Sequence, residues 1–175
     1  MLLSQAKDGF ERAGQPDHYV LLGATTAATP AAPVQKADGT VYRLFNPWSS
    51  EHLFTVDPQE KDNLVSLGWK LEESLGKASL DKGEAVYRLY NPWTGEHHFT
   101  MKKDEVDARV ADGWKDEGVK FYSVDKAAKG AVAVVSLFNP YATEFTHTYT
   151  TNDEEVAKCV ADGWKNEGPK WYVVK

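Results

Sequence analysis

The residues of this chain best suited to chemistry come in triplicate. Val41-Tyr-Arg-Leu-Phe-Asn-Pro-Trp48 returns as Val86-Tyr-Arg-Leu-Tyr-Asn-Pro-Trp93 and, altered, as Val134-Val-Ser-Leu-Phe-Asn-Pro-Tyr141. Each continues into a histidine run: His52-Leu-Phe-Thr55, His97-His-Phe-Thr100 and His147-Thr-Tyr-Thr150. In the first two copies a Trp follows Pro in the turn, an Arg lies on the strand before it, and a Glu lies just past it. That set can form a sugar-binding rim, because an aromatic face stacks on the apolar face of a pyranose while Arg, Asn and Glu hydrogen-bond its hydroxyls. Arg88, Trp93 and Glu96 are therefore the first candidate ligand site, and Arg43, Trp48 and Glu51 the second. Ser136, Tyr141 and Thr146 replace them in the third copy, whose site is expected to be impaired. The competing reading for Trp48 and Trp93 is packing across the boundary between repeats.

Other chemistries find less support. His97 and His98 are strand neighbours and point to opposite faces, so they cannot readily chelate one ion, and no zinc-type ligand spacing occurs. No metal and no cofactor is expected. The kept histidines are read as half-buried groups bonded to backbone of the same hairpin. Glu72, Glu117 and Glu167 recur beyond each Gly-Trp-Lys and read as surface residues or lysine partners, with no acid–base pair standing out. The lone Cys159 aligns with Leu64 and Arg109, cannot form an internal disulfide, and reads as a small semi-buried side chain. A triplicated unit suits binding better than catalysis, which needs one asymmetric constellation; the chain is read as not an enzyme.

The elements that must position these residues follow from the repeat. Self-similarity at 45 to 50 residues marks a repeat architecture. In the second copy Ala85 to Tyr90 alternates as a strand, Asn91 to Gly95 is a turn, and Glu96 to Met101 returns as a strand. Lys103 to Asp112 is a short helix stopped by Gly113, and a second hairpin is expected around Gly118. Asp57-Pro-Gln-Glu60 and Asn152-Asp-Glu-Glu155 have capping boxes, whereas Lys102 offers no cap. Histidine and the Gly-Trp tryptophan are 17 residues apart in every copy. The kept Trp69, Trp114 and Trp164 read as core or boundary plugs.

The expected fold is mostly β with short helices, a threefold pseudo-symmetric β-trefoil-like domain of three ββαββ repeats. A linear array of ββαβ repeats is the alternative. The domain spans 41–175, with repeats at about 41–82, 86–125 and 133–175. An Ala/Thr/Pro linker covers 23–40, and 1–22 is an N-terminal remnant or tail. The net charge of −6, with Lys interleaved among Asp and Glu, argues against nucleic acid, and no run is long enough to span a membrane. The linker favours an excised part of a larger secreted chain.

The pattern Val-Tyr-Arg-Leu-Tyr-Asn-Pro, Gly-Glu-His-x-Phe-Thr and Gly-Trp-x-x-Glu-Gly-x-x-x-Tyr resembles a bacterial extracellular repeat family of unknown function. The likeness covers 41–174. The third copy departs from it at Ser136, in its longer turn and in lacking Gly-Glu before His147. The resemblance implies an extracellular or cell-surface setting and an accessory role. The expectation is a non-catalytic module that binds carbohydrate, either cell-wall polymer or host glycan, and so targets or anchors a larger secreted protein, such as one carrying a covalently linked catalytic domain. The alternative is a structural or protein-interaction spacer that binds no sugar.

Overall fold

A computed structural model describes residues 35–175; residues 1–22 and most of the 23–40 linker lie outside it. Each repeat contributes two paired strands, a helix and a returning strand. The first has β1 (Tyr42–Phe45), β2 (His52–Thr55), α1 (Pro58–Ser66) and β3 (Lys70–Leu71). The second has β4 (Glu84–Tyr90), β5 (His97–Thr100), α2 (Lys103–Ala111) and β6 (Lys115–Ser123). The third has β7 (Ala131–Phe138), β8 (His147–Thr150), α3 (Asp153–Ala161) and β9 (Lys165–Val174). Three antiparallel sheets result, ordered β2-β1-β3, β5-β4-β6 and β8-β7-β9. No helix among the described residues is long and apolar enough to cross a membrane.

The second hairpin expected around Gly118 is not formed. Gly118 and Gly168, at φ +80° and +82°, instead sit inside the continuous strands β6 and β9. The register against β4 and β7 shifts there, so each glycine marks a bulge, the extra residue that a strand accommodates by adopting positive φ. Each repeat is thus ββαβ, with three strands rather than four.

The repeats close on one another, which rules out a linear array. Phe54, Phe99 and Tyr149, one from each repeat, meet edge to face with ring centroids 5.5, 5.5 and 5.7 Å apart. Val41, Val86 and Val134, with Leu75, Phe121 and Trp171, complete the shared core. Backbone bonds join Lys77 with Val174, Ser79 with Tyr122, and Val124 with Tyr172, so that the segment after β3 and the ends of β6 and β9 tie all three repeats together.

Strand alternation gives each sheet a second face that packs on its own helix. In the first repeat Leu44, Leu53, Leu64 and Trp69 form a dry cluster there. The aligned positions are more polar elsewhere: His98 and Arg109 in the second repeat, Thr148 and Cys159 in the third. Trp69 is accordingly buried, while Trp114 and Trp164 are half-buried, the former beneath the Arg109 guanidinium at 4.7 Å.

The kept threonine acts at the helix starts. Thr55, Thr100 and Thr150 each accept, through the hydroxyl, the backbone N–H two residues on, at 3.0 to 3.1 Å. Thr100 and Thr150 in turn donate to Glu105 and Glu155, so Glu155, an expected capping-box glutamate, and its counterpart Glu105 both reach the cap N–H through a hydroxyl. Asp57 and Asn152 cap α1 and α3 with their side chains, and Lys102 leaves α2 without such a bond.

Candidate functional site

The expected site residues separate into two groups. Arg43, Arg88, Glu51 and Glu96 are buried, at 3 to 8% exposure, and lie at the boundaries between repeats. Trp48, Trp93 and Tyr141 stand out at 67, 69 and 75% exposure. The structure therefore does not assemble Arg, Trp and Glu into one rim.

At the boundary of the first and second repeats, Arg88 donates to both oxygens of the Glu60 carboxylate of α1 at 2.9 and 3.0 Å and pairs through Nε with Glu117. Burial raises the Glu60 and Glu117 carboxyls, but Arg88 outweighs it and both end below the ordinary carboxylate range. Lys120 pulls both down further. Glu51 crosses the same boundary and accepts the His97 backbone N–H at 3.0 Å and meets its ring Nδ1 at 2.7 Å.

At the boundary of the third and first repeats, Arg43 binds Glu155 of α3 at 2.6 and 2.7 Å, with Glu72 2.9 Å from its Nε. His52 Nε2 lies 3.2 Å from Glu72. These contacts extend the reading of the glutamates beyond Gly-Trp-Lys: Glu72 and Glu167 are exposed and Glu167 has a lysine partner in Lys170, as expected, but all three also meet arginines or histidines of the boundaries. They also correct the partners of the histidines, which are carboxylates, and for His147 the Thr146 hydroxyl at 2.8 Å as well, not backbone of the same hairpin.

The boundary of the second and third repeats has Ser136 where an arginine would stand. Ser136 donates to Glu167 at 2.8 Å. Glu105, which should meet that arginine, turns to His98 at 2.8 Å, and this bond holds its carboxyl down to about 2. The His98 and His147 rings meet edge to face 5.2 Å apart. Glu96 accepts from the Thr146 backbone N–H at 2.8 Å and its hydroxyl at 3.1 Å. Among the described residues no group of three His, Cys, Asp or Glu converges in a way that could hold a metal.

The aromatic side chains are exposed yet seated. A Cβ on Gly68 would come within 2.6 Å of Trp48 Cη2, one on Gly113 within 2.5 Å of Trp93 Cη2, and one on Gly163 within 2.5 Å of the Tyr141 hydroxyl. These glycines have φ of +94°, +94° and +92°, so both the backbone angle and the ring above demand glycine. Neither tryptophan plugs a boundary; each rests on the Gly-Trp-Lys turn of its own repeat. The Asn before each Pro fixes the turn from the other side, accepting the Trp48, Trp93 or Tyr141 backbone N–H at 3.0 Å. Val65, Val110 and Val160, one on each helix, are exposed close in sequence to these glycines.

Sequence reasoning missed a cleft. It has a volume of 560 Å³ between the third and first repeats and is floored by Arg43, Leu75 and Thr150. A signal for it was present: Glu117-Gly-Val-Lys-Phe121 and Glu167-Gly-Pro-Lys-Trp171 correspond to Glu72-Glu-Ser-Leu75, one residue shorter.

A family model described as Domain of unknown function (DUF5648) matches residues 40–174. The chain belongs to that family. No curated protein and no solved structure gives a significant match.

Proposed function

We propose that this DUF5648 chain is a non-catalytic extracellular accessory module that binds carbohydrate, cell-wall polymer or host glycan, and so targets or anchors a larger protein. The observation that carries the reading is the threefold display of Trp48, Trp93 and Tyr141, each more than two-thirds exposed and each seated on a glycine. Exposing a large aromatic ring is unfavourable, and holding it rigid lowers the ordering cost of binding. Such a ring is suited to stack on a sugar face. The third repeat keeps its platform as a tyrosine, so three weak contacts can act together on a repeating polymer. Arg43, Arg88, Glu51 and Glu96 serve in this reading as the struts that set the spacing of the platforms.

The test is binding of the full chain to a glycan array and to insoluble bacterial cell walls, with Trp93→Ala and Trp48→Ala alongside. Binding that weakens in each variant supports the reading. A folded protein that binds neither supports the second reading, a protein-interaction spacer, for which the neighbouring exposed valines Val65, Val110 and Val160 speak.

A further inference from the structure

The cleft between the third and first repeats is where the internal symmetry breaks. In the second repeat Lys120 lies between the glutamate of its own strand and the corresponding core aromatic, and its ammonium acts on both Glu60 and Glu117. In the third repeat Lys170 holds the same place, 3.7 Å from Glu167. The first repeat lacks this residue. Glu73 and Ser74 stand where the sister strands have Gly-x-Lys, and β3 ends at Leu71 instead of running on through the bulge. The counterparts of the two glutamates on which Lys120 acts are retained as Glu72 and Glu155. Arginine and neutral partners act there instead: Glu72 is held down by His52 and Arg43 against burial, and Glu155 by Arg43 and Thr150, which together outweigh its burial.

The shortened strand and the cleft coincide. Glu72, Glu73, Ser74 and Leu75 form one wall, and Thr150 to Glu155 the other. Five carboxylates line it against Arg43, already engaged by two of them, and Lys175. The potential there is negative, and apart from the apolar Leu75 the remaining lining is hydroxyl and amide, from Ser74, Thr150, Thr151 and Asn152.

We infer that this cleft is a binding site for an amino-sugar residue carrying a free primary ammonium, which takes the place that Lys120 and Lys170 fill at the other two boundaries. The ammonium pairs with Glu72 and Glu155, and the hydroxyls and Asn152 receive the sugar's hydroxyl groups. The inference rests on the carbohydrate reading and adds to it a site distinct from the aromatic platforms.

The experiment is calorimetric titration of the full chain with glucosamine tetramer, its fully N-acetylated counterpart, and a tetralysine peptide. The expected result is at least tenfold tighter binding of the glucosamine tetramer than of either comparator. Ser74→Lys, which supplies the missing ammonium from the chain itself, should abolish that preference. Glu73→Gln, at an exposed wall position with no ion pair among the described contacts, should weaken it about threefold. Equal affinity for the N-acetylated tetramer, or a preference that survives Ser74→Lys, overturns the inference. Tighter binding of tetralysine also overturns it, in favour of a peptide. Neutral-glycan binding by the unaltered protein scores the platform reading separately: its presence without an amine preference sinks the cleft alone.

Discussion

The boundary of the first and second repeats and that of the second and third are built on the same plan and sealed differently. In one, a single buried guanidinium bridges a helix glutamate from one repeat and a strand glutamate from the next. In the other, Ser136 removes that bridge, and the two glutamates turn away to His98 and to Ser136 and His147. A buried ion pair costs desolvation, so an arginine is not required for stability as such. Once the carboxylates are there, however, they need some partner. This boundary keeps both and pairs them with imidazoles and a hydroxyl.

Removing the bridge tests this most severely. Arg88→Ala takes from Glu60 and Glu117 the guanidinium that bridges them, leaving the weaker help of Lys120, His97 and Thr55, and should lower unfolding stability by about 3–5 kcal/mol in urea titration at neutral pH. Ser136→Ala removes one hydrogen bond to Glu167, and the same titration should show a loss of about 1 kcal/mol. If the two losses are alike, the boundaries are not sealed differently. Lys102→Asp supplies the missing cap at the start of α2, the helix that presents Glu105, and should gain about 1 kcal/mol in thermal or urea unfolding.

Acid sharpens the comparison. Glu105 is depressed to about 2, so its contribution is present above the ordinary value of about 4.5 and is lost as pH falls from there toward 2. His98→Leu, which copies Leu53 of the first repeat, removes the partner that depresses it. Stability of this variant measured from pH 6 down to pH 2 should fall less steeply than that of the parent. An unchanged slope would place the acid sensitivity at the arginine boundaries alone, whose carboxyls are depressed as well.

Much of the architecture was legible because repetition reports which residues a shared fold demands. The strand–turn–strand–helix order, the helix stop at Gly113 and the missing cap at Lys102 follow from local chemistry. Gly118 misled because a glycine between two β-like runs reads equally as a turn or as a bulge; pairing with β4 along its whole length decides for the bulge. The roles of Arg43, Arg88, Glu51 and Glu96 were out of reach for a different reason. Their partners, Glu155, Glu60, His97 and Thr146, belong to neighbouring repeats, and only closure of the ring brings them together. The exposed tryptophans could be named from sequence, but their seats could not, since Gly113 had already been explained as a helix stop.

The most direct test of the account is retention of the full chain on insoluble cell walls and a glycan array, comparing the parent with a Trp48→Ala, Trp93→Ala, Tyr141→Ala triple variant shown to be folded by its unfolding curve. The account predicts that the parent binds and that the triple variant loses binding at least tenfold, with its unfolding stability within about 1 kcal/mol of the parent because the rings are exposed. Equal binding by the two proteins would contradict it.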